Sequence, residues 1–167
     1  LGPRAQKISP YFTFVGAQHG KVGEALNLYV SLFKDSGIQA MQHYPAGSGE
    51  PDEAVLHAEF TLAGQEFMAM DGGLSHDWTF NEGVSLFVSC ESQAEVDALW
   101  GKLTTGGEEG PCGWLKDPYG VSWQIVPTVL IEMLQDKDAA RATRVTQAML
   151  QMKKIDIAGL QQAYDKA

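Results

Sequence analysis

The sequence predicts an α+β fold made of two βαβββ modules followed by C-terminal helices. Three internal correspondences predict it. An aromatic, β-branched stretch ending in Phe-Val occurs twice, at Phe14-Val15 and Phe87-Val88, 73 residues apart. A stretch of the form E-x-x-x-L-[Y/W]-x-x-L follows each, with Glu24, Leu28, Tyr29 and Leu32 opposite Glu95, Leu99, Trp100 and Leu103 at an offset of 71. Each half then ends in two short apolar runs around a turn glycine, Gly64 and Gly120, 56 residues apart. Repetition of one supersecondary unit is the signal to read before any single element.

The first module, residues 8–73, opens with a strand at 10–15, rich in residues that suit a pleated surface. A helix over 21–33 follows, because Val22, Leu26, Tyr29 and Phe33 recur at helical spacing and mark one buried stripe. Strands near 38–44, 55–62 and 65–70 complete it. In the second module, residues 74–127, a strand at 83–90 precedes a helix at 92–104 with Val96, Leu99 and Leu103 inward. Strands near 108–115 and 121–126 end the module, the first of them weakly patterned. Gly64 and Gly120 lie at hairpin turns, where positive φ is often required.

Residues 128–167 read as a helical extension of the same structural domain. Pro127 suits a helix start, where its missing N–H loses no bond. Val145, Ala148, Met149 and Met152 share a face, and Asp156 can cap a last helix with Ile157, Leu160 and Tyr164 inward. The extension covers a sheet or builds a dimer interface. A single βαβββ unit covers one sheet face with its helix and leaves the other open, so two units paired edge to edge enclose a cleft.

Composition narrows the function. Twelve basic residues against 21 acidic give a net charge of −9, which disfavours binding to phosphate backbones and anionic membranes. No apolar stretch approaches the ~20 residues needed to span a bilayer. Cys90 and Cys112 form no disulfide framework and no zinc spacing, which fits reduced thiols in a cytoplasmic protein. The opening LGPRAQK lacks a secretory apolar run and is left out of the fold reading.

The stretches LHAEFTLAG, GGEEGPCGWLKDPYGVSWQIVP and AMLQMKKIDIAGLQQAY, with the repeated unit, resemble the vicinal oxygen chelate superfamily, which includes glyoxalase I, bleomycin- and fosfomycin-resistance proteins and ring-cleaving dioxygenases. Within it the chain is most similar to the PhnB-like, 3-demethylubiquinone-9 3-methyltransferase-like branch, over nearly all of residues 8–165. The resemblance implies a glyoxalase/bleomycin-resistance-like sheet around a cleft. It also implies metal-ligand positions five residues before the valine that ends each first strand and four after each turn glycine. Those positions hold Pro10, Gly83, Met68 and Gln124. Proline and glycine offer no side-chain donor, thioether sulfur is soft, and a lone amide oxygen is a weak ligand. No metal or other cofactor is therefore expected.

Alternation from these positions puts Phe12, Phe14, Met68, Met70, Ser85 and Phe87 on the cleft face, with Ser122, Gln124 and Val126. On the third strand Ala58, Phe60 and Leu62 face the helix, which leaves His57, Glu59 and Thr61 toward the cleft. His57 and Glu59 are the only His/carboxylate pair on that face. They read either as a general acid/base pair, or half of a relocated metal site, or as a hydrogen-bonded polar strand face. Gln124 either orients a substrate carbonyl or satisfies a buried backbone group. Asp117 reads as a turn residue, and Asp71-Gly72-Gly73 as a turn or a cleft rim, with the glycines favouring the turn. No partner is evident for His19, His43 or His76. No glycine-rich strand-to-helix turn of a Rossmann-type methyltransferase is present.

The expectation is a small-molecule-binding, homodimeric protein that lacks the usual divalent metal. The alternative is an enzyme of the same superfamily (lyase, isomerase, dioxygenase or methyltransferase-like) using His57, Glu59 and Gln124. A third possibility is a dimerising module whose cleft is filled by its own side chains.

Overall fold

A computed structural model describes residues 6–166; residues 1–5 of the opening segment, and residue 167, lie outside it. The chain divides into two compact units, one ending at Thr79 and the other beginning at Phe80. Each carries one four-stranded mixed sheet, as the βαβββ pattern requires.

In the first unit β1 (Tyr11–Val15) leads through a short 3-10 turn, Gly16–Gln18, into α1 (Val22–Leu32). Then come β2 (Gly37–His43), β3 (Val55–Leu62) and β4 (Gln65–Gly73). The sheet order is β1-β4-β3-β2, with β1 parallel to β4 and the other pairs antiparallel. One face carries Phe12, Phe14, Ala58, Phe60, Leu62, Phe67 and Ala69, all buried, and α1 lies over it with Val22, Ala25, Leu26 and Tyr29. Phe12 sits 5.9 Å from Phe67 and 6.5 Å from Phe60, ring centroid to ring centroid.

That packing corrects the expected cleft positions of Phe12 and Phe14. Both belong to the core, each burial being worth roughly 1.5–3 kcal/mol. The open face takes their neighbours Tyr11 and Thr13, which pair with Met68 and Met70. A shift of one residue turns every side chain of a strand over, and the Phe-Val match had set β1 one residue out. On β3 the expected alternation is the observed one.

The second unit holds β5 (Ser85–Cys90), α2 (Gln93–Thr104), β6 (Glu108–Glu109), β7 (Trp114–Lys116) and β8 (Ser122–Pro127) in the order β5-β8-β7-β6. The Ser92 side chain caps α2 by accepting from the Glu95 N–H, and the Glu95 carboxylate reaches back to the N–H of Glu91. The weakly patterned strand at 108–115 is really two short strands. Gly110 N–H donates to Trp114 O across the Pro111-Cys112-Gly113 bend that separates them. Gly107 precedes this hairpin because a Cβ there would lie 2.2 Å from Lys116 O. Leu115, Trp123 and Ile125 are buried on the α2 side.

The buried residues of α1 are 22, 25, 26 and 29, and those of α2 are 96, 99, 100 and 103. Each pair differs by 74 (96 − 22 = 74), so the packing relates the helices by 74 rather than by the 71 of the E-x-x-x-L pattern. Glutamates anchored that pattern, and they do not answer to the core: Glu24 is exposed, and Glu95 caps the start of its own helix.

Beyond β8, α3 (Thr128–Leu134), α4 (Ala139–Met149) and α5 (Ile157–Asp165) belong to the second unit. Val126, Leu130, Met133, Val145, Ile155 and Leu160 form their common core, with Met149, Met152 and Tyr164 against it. Asp138 caps α4 and Asp156 caps α5, each accepting from N–H groups of the first turn. No helix among the described residues is long and apolar enough to cross a membrane.

Candidate functional site

Each sheet has one face that its helix does not cover, and the polar residues singled out in the sequence fall on these faces. On the first, His57 Nε2 lies 3.2 Å from Glu59 Oε1, and His57 Nδ1 lies 3.0 Å from Tyr11 Oη. A carboxylate only accepts, so Nε2 carries a proton and donates to Glu59; in the neutral ring Nδ1 then accepts the Tyr11 O–H. Burial, with a smaller effect of Tyr44, pushes the Tyr11 hydroxyl above its ordinary pKa. Met68 stands opposite both Tyr11 and Glu59, and Met70 opposite Thr13. The face is thus a short hydrogen-bonded relay beside two thioethers. Tyr11 was missed because the strand was read one residue out of phase.

On the second sheet, Gln124 Nε2 donates to Ser85 Oγ at 2.9 Å. Phe87 pairs with Gln124 in register and is 48% exposed, a large apolar side chain presented to solvent. Trp114 flanks Gln124 on its other side, and Ser122 lies opposite both Ser85 and Lys116. A cavity of about 380 Å³ opens along β6–β8, lined by Glu82, Glu108, Glu109, Trp114, Lys116 and Ser122 among others. Lys116 Nζ lies 2.6 Å from Glu82 Oε1 on its rim. This pair holds the Glu82 carboxyl below the usual range and the Lys116 ammonium above it.

The offset of 74 takes Tyr11 to Ser85. The hairpin offset of 56, at which buried Phe67 meets buried Trp123, takes Met68 to Gln124. Tyr11, Met68, Ser85 and Gln124 thus lie on the open faces, although in strand register Tyr11 stands opposite Met68 and Phe87 opposite Gln124, an offset of 76 (87 − 11 = 76). Pro10 and Gly83, the positions that the resemblance implies beside Met68 and Gln124, precede β1 and β5 in the chain. Two hydroxyls, a thioether and an amide do not fit a divalent cation that prefers carboxylate or imidazole. Among the described residues no group of three or more His, Cys, Asp or Glu could hold a metal ion.

Other expectations resolve into structural roles. Asp71 is fully buried within β4 rather than in a turn, and its carboxylate accepts from Gly20 N–H (2.7 Å) and Val55 N–H (2.8 Å). His19, read as a loop residue with no partner, is almost wholly buried. Its Nε2 lies 2.6 Å from Glu50 Oε2 and its Nδ1 accepts from Gly73 N–H at 3.0 Å. His76 reaches Gly72 O and His43 reaches Ala54 O. Asp117 is the expected turn residue and more. It accepts from Tyr119 N–H, Val121 N–H and Trp123 Nε1–H, which fixes the indole beneath β8. No signal local to the sequence could have paired His19 with residues 31 and 54 positions away.

The sequence profile of the 3-demethylubiquinone-9 3-methyltransferase family matches residues 6–126. Comparison with curated proteins finds no match. Among solved structures, the chain is similar to the PhnB protein from Bacillus cereus, with 39% identity, a TM-score of 0.65, and coverage of 73% of this chain and 99% of that one. It is also similar to protein PA1353 from Pseudomonas aeruginosa, with 24% identity, a TM-score of 0.59, and coverage of 74% and 98%. FosX from Listeria monocytogenes, complexed with Mn(II) and sulfate ion, matches at 14% identity and a TM-score of 0.48 over 72% of this chain and 90% of that one. The chain belongs to the 3-demethylubiquinone-9 3-methyltransferase family, the PhnB-like branch of the vicinal oxygen chelate superfamily.

Proposed function

We propose that this protein binds a small, partly apolar molecule on the open face of its second sheet, without the divalent metal of the superfamily's enzymes. The observation that carries this reading is the cavity of about 380 Å³ beside the Ser85–Gln124 hydrogen bond. Its size is that of a small-ligand site, and its make-up is the usual one of apolar walls with a few fixed polar groups. Ser122 and Trp114, which line the cavity, stand in register beside Ser85 and Gln124. A thermal-shift screen of small metabolites and antibiotics on chelator-treated protein tests it. Saturable stabilisation that is lost in Trp114→Ala supports binding at this face. A screen in which no compound shifts the transition sinks it.

A second reading is favoured by the Tyr11–His57–Glu59 relay. Here the protein is an enzyme in which Glu59 orients His57, and Tyr11 exchanges a proton with a bound substrate through His57. Gln124, the remaining residue of that reading, is engaged by Ser85. Turnover of a bound compound that falls at least tenfold in both Tyr11→Phe and His57→Ala, with binding retained, would favour it. Turnover unchanged in both variants counts against it.

A further inference from the structure

We infer that the cavity along β6–β8 selects a small apolar cation, a protonated amine on an aromatic or alicyclic body, with Ser122 accepting one of its N–H groups. This rests on the binding reading above and names the ligand class. Three glutamates, Glu82, Glu108 and Glu109, line the cavity against one lysine, Lys116, a formal balance of −2. Glu82 is held by Lys116, and Glu109 accepts from Trp100 Nε1–H at 3.0 Å. Both are thereby fixed at the rim, and with Glu82 answered by Lys116 the formal balance of −2 falls to Glu108 and Glu109. Trp114 lines the same cavity, and a cation held over an indole face gains further attraction.

Carboxylates alone would say little, since an acidic rim is an ordinary solvated surface. Ser122 adds an independent observation. It lines the same cavity, is 1% exposed, and its Oγ has no hydrogen-bond partner among the described residues. A buried hydroxyl left unpaired is unfavourable, and native folds seldom keep one without use. Alanine would fill the position without that penalty. The residue makes sense if its partner is a ligand. An anion is disfavoured by the rim, and a neutral apolar molecule leaves the rim charges unanswered. An ammonium on an apolar body answers the rim, the indole and the hydroxyl together.

Tryptamine, tryptophol and indole-3-acetate share one ring system and differ in charge, so isothermal titration with the three isolates the charge requirement. Tryptamine should bind at least tenfold more tightly than tryptophol, with indole-3-acetate weakest, and the tryptamine affinity should fall as salt rises. Ser122→Ala should weaken tryptamine severalfold while the ligand-free protein melts no earlier than wild type. Glu108→Gln should narrow the gap between tryptamine and tryptophol. If tryptophol or indole-3-acetate binds as well as tryptamine, the charge preference is wrong and the small-molecule reading stands. If Ser122→Ala binds tryptamine like wild type, the hydroxyl has no part in it and the inference falls. If neither these probes nor any member of the wider screen binds, the reading beneath it falls as well.

Discussion

Gln124 Nε2 donates to Ser85 Oγ across parallel β5 and β8, so the amide at one position where the superfamily resemblance implies a metal ligand is held by a hydroxyl. The contact is closed without any cation. A hydroxyl can turn from acceptor to donor, so Gln124→Glu should keep the contact, with Ser85 O–H now donating to the carboxylate. Its melting temperature should stay near wild type. Neither wild type nor Gln124→Glu should bind Mn²⁺ measurably at submillimolar concentration. The double variant Ser85→His/Gln124→Glu, which supplies an imidazole and a carboxylate, should bind at least ~10-fold more tightly than either. Electron paramagnetic resonance of free Mn²⁺ reads all three, and stoichiometric binding by wild type would overturn the assignment.

Asp117 carries more of the second unit's stability than a turn residue would. Its carboxylate satisfies two backbone N–H groups and the Trp123 indole, all buried. Asp117→Ala leaves these donors unpaired, which should destabilise by about 3 kcal/mol or more. Asp117→Asn keeps one acceptor oxygen but sets an amide N–H₂ against a donor. It should lie between, at roughly 2 kcal/mol. Urea unfolding followed by tryptophan fluorescence gives both values. Equal stability of Asp117→Asn and wild type would show that the second oxygen does not matter.

The parts of this molecule that could be read from its sequence are those written in local periods. Alternation on β3 separated Ala58, Phe60 and Leu62 from His57 and Glu59, and the caps at Asp156 and Pro127 were visible as residue types. The phase of β1 was not. Phe12 and Phe14 alternate correctly with Tyr11 and Thr13, but nothing local says which pair meets α1, and the matched Phe-Val pairs pointed to the wrong one. The helix repeat misled in a related way, since a shared glutamate fixed the alignment and buried side chains fix the packing. The cavity was out of reach for another reason. It depends on the bend at residues 110–113, which splits one weak strand in two, and on a hydroxyl whose isolation exists only once the chain has folded.

The β3–β4 turn is open to improvement. Ala63 has φ 50° and Gly64 φ 80°, and Leu62 pairs directly with Gln65, so this is a two-residue hairpin with both central residues left-handed. Asparagine tolerates that region better than alanine, and Asn-Gly is the preferred pair for such a turn. Ala63 is exposed, so the longer side chain meets no core. The contacts to Ser36 Oγ and Asp35 O are made by the backbone N–H groups of Ala63 and Gly64 and survive the change. Ala63→Asn should stabilise the first unit by about 0.5–1 kcal/mol. Thermal unfolding checks the sign, and a lower melting temperature would show that Ala63 is not strained there.

The two thiols should separate cleanly in reactivity. Cys90 is fully buried at the end of β5. Its thiol is pushed up to about 12, first by burial and then by the negative charge of Glu95. Only the thiolate attacks a disulfide reagent, so at pH 8 the reactive fraction of Cys90 is negligible while the fold is intact. Cys112 is partly exposed on the bend between β6 and β7. A reagent such as 5,5′-dithiobis(2-nitrobenzoate) should titrate one thiol quickly in native protein and the second only on unfolding. Cys112→Ser should abolish the fast phase, and Cys90→Ala should leave it. Raising the pH toward 9 should still leave Cys90 silent. Two fast thiols in wild-type protein would mean that the β5 end opens far more readily than its packing implies.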